Sequence, residues 1–170
     1  MRAAGKVHHP APVVGVYLGA VRYGAQIDDT ARSISADRVC ATPKYVILKL
    51  TLHRVIYIPQ EFADDPCLRS LSQEHEGKHA DADAEALDNA RPTFQAAVRA
   101  AIDRGTRNAS ATSAEAFGAL SKAIQADVDG ALDKMEAARK RVDDAIDSAA
   151  EIEHLQIACG GRAAQSADDE

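Results

Sequence analysis

His75-Glu76-Gly77-Lys78-His79 spells H-E-x-x-H within a stretch that reads as helix. Residues four apart on an α-helix lie on one face, a turn above each other. Two imidazoles placed so can share one Zn²⁺, and the glutamate beside the first can act as general base on a water polarised by the metal. His75 and His79 are therefore the expected metal ligands and Glu76 the expected catalytic base. The competing interpretation is a solvated, charge-rich helix whose histidines are incidental, and Glu74 and Lys78 lend it weight. Against it, the histidines continue an apolar stripe, Leu68, Leu71, His75, His79, Ala82, Ala86, with the three-and-four spacing of one buried helix face.

A catalytic zinc needs a third protein ligand and an open position. Asp83 is too far along the helix, ~6 Å beyond His79 at the usual rise per residue. A third histidine six residues past the motif is also missing, since Glu85 stands there and Ala82 replaces the bend-forming glycine. The cysteines indicate another source. Cys67 precedes His75 by eight residues, and Cys159 follows Glu151 by eight. If these two are bridged and the last helix runs antiparallel to the first, Glu151 comes level with His75 and Asp147 with His79. Glu151 is the expected third ligand, in the manner of a gluzincin, with Asp147 and Glu153 as alternatives. Glu151 also has a purely structural role open to it, as the third residue of a capping box begun by Ser148. Cys40 is then the leftover thiol, although a Cys40–Cys67 bridge remains an alternative.

The elements that must position these groups change in kind near Pro66. Before it, β-branched residues cluster at 13–18, 45–52 and 54–58, which read as strands. Val46, Leu48 and Leu50 alternate with Ile47, Lys49 and Thr51, and a short link at His53 would pair the last two strands. Residues 24–39 read as loop or short helix. After it, Asp65 is an N-cap with Pro66 at the first helical position. Pro92 is expected to kink or interrupt the helix, which resumes to Gly105. A turn at 105–111 leads to the capping box Thr112–Glu115 and a long helix with the stripe Phe117, Leu120, Ile124, Val128, Ala131, Met135, Ala138, Val142, Ile146. A short helix from Ser148 ends at Gly160-Gly161, and 162–170 reads as a polar, disordered tail. The expected class is α+β and zincin-like: a small N-terminal antiparallel sheet over 13–60, then a long helical hairpin and a short C-terminal helix over 66–159. One domain would cover residues 1–161.

Composition narrows the function. The 170 residues are 46% hydrophobic but only 4% aromatic, which favours closely packed helices with small side chains. A net charge of −6 argues against a nucleic-acid partner, and no apolar run is long enough to span a membrane. No C-x-x-C pair supports a thiolate metal site. No compact apolar segment with a cleavage site precedes residue 30, so no signal peptide is read.

The segment VCATPKYVILKL…HRVIYIPQEFADDPCLRSLSQEHEGKHADADAEAL, with IDSAAEIEHLQIACGG near the end, resembles a bacterial family of uncharacterised secreted zinc-dependent proteases. The likeness covers about residues 39–160: a strand, a cysteine before a helical H-E-x-x-H, a long helical hairpin, and an acidic segment closing on a cysteine. It implies a Zn²⁺ cofactor, a peptide or protein substrate, and a periplasmic or secreted setting, with a cytoplasmic one as the alternative. The expected function is zinc-dependent peptide hydrolysis, with an edge strand, 45–52 or 54–58, holding the substrate by backbone pairing. The alternative from another class is a non-catalytic helical-hairpin interaction module with an incidental or structural metal site. The absence of any carboxylate or further histidine near the His75/His79 pair would favour that alternative.

Overall fold

A computed structural model describes residues 14–165, with side chains described as far as Ala163. It contains a two-stranded antiparallel sheet, a pair of long helices and a short C-terminal helix, which is the α+β class expected. Strand β1 (Val16–Ser35) and strand β2 (Arg38–Tyr57) form one hairpin. Helix α1 is Gln60–Asp64, α2 Pro66–Gly105, α3 Ser113–Ile146 and α4 Ala149–Ile157. A 3₁₀ turn at Ala158–Gly161 and a last turn of helix, α5 (Arg162–Gln165), follow. Val13 and the tail beyond Gln165 lie outside the described residues.

The strands depart from the sequence expectation in two places. Residues 24–35, read as loop or short helix, belong to β1. Their polar composition weakens intrinsic strand preference, but pairing along β2 outweighs it. The two segments expected to pair around His53 are one continuous strand instead. A hairpin needs a loop of about two residues with turn chemistry, and neither side of His53 offers it. Pro43 is tolerated within β2 because a strand of a two-stranded sheet has one unpaired edge. The expected alternation holds at its centre: Val46, Leu48 and Leu50 are half-buried, while Ile47 and Lys49 are exposed.

Both long helices start where capping chemistry directs. Asp65 Oδ1 accepts from the backbone N–H groups of Cys67 (2.8 Å) and Leu68 (3.2 Å). The Thr112 box closes reciprocally, Glu115 N–H donating to Thr112 Oγ1 and Thr112 N–H to Glu115 Oε2, each at 3.2 Å. Pro92 does not interrupt α2, which runs 40 residues through it. Phe94, Val98 and Ala101 are buried on the turns that follow, so packing offsets the backbone bond that proline cannot make.

The chain groups into two compact units, to which the long elements both contribute. Among the described residues, one comprises those up to Gly19, Arg54–Ala82 and those from Val142 to Gln165. Its core is Val14, Phe62, Leu68, Leu155 and Ala163. The other comprises Ala20–His53 and Asp83–Arg141, with a core of Phe94, Leu120, Ile124, Val128 and their neighbours.

The first unit is cross-tied near its C-terminus. Cys67 and Cys159 form a disulfide, and Cys40 is a buried free thiol. Arg162 pairs with Asp65, the cap of α2, and its Nε donates to the Cys159 carbonyl at 2.8 Å. Cys159, Gly160 and Gly161 all have positive φ, 54°, 72° and 77°. Two glycines in succession let the backbone take this left-handed path. Residues 162–165, expected within the polar tail, are helical, and Ala163 is fully buried.

Candidate metal centre

The motif helix buries its chemistry. Ser72, His75, Glu76 and His79 are all under a tenth exposed. The inward line of α2 is thus shifted slightly from the expected stripe, since Leu71 and Ala82 are only half-buried. The Ser72 hydroxyl donates to the Val14 carbonyl and fixes the start of the β1 segment over the helix. That approach needs Gly15: a Cβ there would stand 2.8 Å from Glu76 Cγ and Oε1. The next residue but one, Tyr17, donates its backbone N–H to the Glu76 carboxylate. Its ring also stacks on His79, at 6.2 Å between centroids and 10° between planes.

The facing groups come from the end of α3, the turn that follows it and the start of α4. Asp147 Oδ1 lies 3.3 Å from His75 Nε2 and 3.2 Å from His79 Nε2. Asp143 Oδ1 lies 2.9 Å from His79 Nδ1, and Glu151 Oε1 lies 3.4 Å from His75 Nδ1. Each imidazole therefore meets an outer carboxylate at Nδ1 and shares Asp147 at Nε2. A carboxylate can only accept, so in the metal-free site protonated imidazoles satisfy these contacts, whereas a metal on the Nε2 atoms would take the place of those protons and leave each Nδ1–H donating to its outer carboxylate.

Asp147 and Glu151 both reach the histidines, as the cancelling register implies, but their places differ from those expected. Glu151, the expected third ligand, sits outside the pair: its Oε1 takes a 2.6 Å ion pair from Lys78 Nζ, and its backbone N–H donates to the Ser148 hydroxyl at 3.4 Å. Asp147 converges on both Nε2 atoms instead. Glu153 is exposed. Asp83 belongs to the other unit, where its Oδ1 stands 3.2 Å from Arg139 Nε. The apolar stripe of α3 conceals Asp143, because it points to Val142 as the inward residue, whereas Val142 is 45% exposed. The signal was present as Asp143 and Asp147, a four-residue pair matching the His75–His79 spacing.

Charges in the cluster reinforce one another. Burial, the largest influence on His79, pulls its pKa down, but the hydrogen bonds and charges of Asp143 and Asp147 together raise it above the ordinary imidazole value. Burial lifts the Glu76 carboxyl above the usual range, against the opposing pull of His75, His79 and the Tyr17 N–H. The Lys78 ammonium holds Glu151 below it.

His75, His79 and Asp147 can hold a metal ion: one ligand atom from each lies within 4.8 Å of the others. The two histidines are buried and the aspartate is exposed, leaving a side open to solvent. Ligand atoms bound at ~2.0 Å to one tetrahedral ion stand ~3.3 Å apart, the spacing found between each Nε2 and Asp147 Oδ1. The donor set thus fits a small divalent cation. No family model matches this chain, and no curated protein or solved structure matches it either.

Proposed function

We propose that the protein is a zinc-dependent peptidase in which His75, His79 and Asp147 hold Zn²⁺ and Glu76 is the general base. One observation carries this reading: both Nε2 atoms converge on one carboxylate oxygen, beside a buried glutamate that the motif places one residue from the first ligand. Zinc, when bound, would acidify a water and polarise the scissile carbonyl. Glu76 would accept that water's proton, and the burial that raises its pKa makes it a stronger base than an exposed carboxylate. The Tyr17 N–H and Gly15 would keep its carboxylate aimed. Asp143 and Glu151 would orient the imidazoles and increase their basicity.

Asp147 replaces Glu151 in this reading, so the ligand set is two histidines and an aspartate. Glu151 becomes an orienting group, held by Lys78. Of the two strand segments considered for the substrate, Arg54–Tyr57 lies in the unit that holds the cluster. Val55 and Tyr57 there are about half-exposed, as an extended peptide with apolar side chains would require. The Cys67–Cys159 disulfide is compatible with a secreted or periplasmic setting. Among the described residues no helix is long and apolar enough to cross a membrane. A histidine pair without nearby carboxylates would have favoured the non-catalytic interaction module; the three carboxylates around it support the peptidase reading.

The test is Glu76→Gln. The variant is expected to keep its zinc and lose peptidase activity on an unfolded protein substrate by about 10²-fold or more. Full activity in a zinc-loaded Gln variant would sink the mechanism.

A further inference from the structure

The second unit carries a cavity of about 440 Å³ that has no part in the metal centre. Its size falls within the range that encloses small ligands, about 300–1,000 Å³. One wall is the inward face of β2, Val46, Leu48 and Leu50; the other is a single stripe of α2, Phe94, Val98 and Ile102. Along the rim run Arg91, Gln95 and Arg99, one turn apart on the same helix. Arg91 already pairs with Asp88 at 3.0 Å. Arg99 and Gln95 are exposed, and their side chains make no ion pair or hydrogen bond among the described residues. In a chain of net charge −6, a free guanidinium over an apolar trough favours an anionic ligand with an apolar body.

We propose that this trough binds a single-chain amphiphile with a carboxylate head, of the medium-chain fatty-acid class. The head pairs with Arg99, whose fork matches a carboxylate in a bidentate contact, and the Gln95 amide donates from one turn away. The chain lies between the two apolar walls. From Arg99 to Arg91 the rim covers ~12 Å along the axis, the length of a medium alkyl chain. A peptide is the poorer occupant. The β2 wall is made by alternate side chains of the sheet face, so a peptide there would leave its own amides unpaired against hydrocarbon. An alkyl chain has no such groups.

Displacement of dansylaminoundecanoic acid from the full chain, below the micelle threshold, tests this. Saturable probe binding is expected, with laurate displacing it at least about tenfold better than dodecanol. Arg99→Gln should remove that preference while leaving dodecanol unchanged, and Arg91→Gln should have a smaller effect. Circular dichroism and zinc content serve as checks that each variant is folded. Absence of saturable binding, equal affinity for laurate and dodecanol, or an unchanged preference in folded Arg99→Gln would each overturn the proposal. So would displacement by an acidic peptide in preference to laurate.

Discussion

Gly15 separates the positioning of Glu76 from the holding of a metal. An added methyl would press on Glu76 Cγ and Oε1 at 2.8 Å, and no histidine nitrogen is involved. Gly15→Ala is therefore expected to retain zinc binding while activity falls at least tenfold, at a stability cost of about 1–3 kcal/mol. Zinc titration beside a peptidase assay checks this; parallel loss of zinc and activity would speak against it. His79 gives a pH prediction with two opposite signs. Its raised pKa means that the folded, metal-free chain holds the imidazole proton more tightly than the unfolded chain does. That stabilisation is fully present below the ordinary imidazole value and is lost as pH climbs through the raised one. Zinc has to displace the same proton, so its affinity should rise over the same interval. Chemical denaturation of metal-free protein and zinc titration, each across that window, should show opposing slopes.

At the scale of elements, the disulfide sets the register that brings α4 back to α2. It closes a loop of 92 residues, for which chain entropy suggests a stabilisation on the order of 4 kcal/mol. Cys67→Ser with Cys159→Ser should lower the denaturation midpoint accordingly and weaken zinc binding, because the Asp143–Glu151 segment loses its tether. Unchanged zinc affinity in the folded double variant would show that α3 alone delivers Asp147. This register was legible in the sequence because two eight-residue steps cancel between antiparallel helices. The caps at Asp65, Thr112 and Ser148 were legible too, since they depend on local donors and acceptors. The strand over residues 24–35 was not, since its polar residues are held by a partner strand that local propensity does not encode. The place of Asp147 between the two imidazoles was half legible. Helical spacing brought both to the histidines, but only the side-chain contacts reveal that Lys78 takes Glu151.

For the whole molecule, each unit pairs a core with an opening of different chemistry: buried imidazoles and carboxylates in one, an apolar trough with a free guanidinium in the other. The α+β order followed from the switch of periodicity at Pro66, and the scarcity of aromatic residues foretold a core of small and aliphatic side chains. Grouping into two units had no linker, composition break or charge run to announce it, because the same long strands and helices serve both. The central claim concerns the ligand set, and competitive zinc titration against a chelator tests it most directly, comparing the wild type with Asp147→Asn and Glu151→Gln. One zinc per chain is expected in the wild type. Asp147→Asn should lose essentially all of that affinity, and Glu151→Gln about 10–100-fold, as befits a group that orients a ligand. A wild type that binds no zinc, or an Asp147→Asn variant that binds it as tightly as the wild type, would contradict the account.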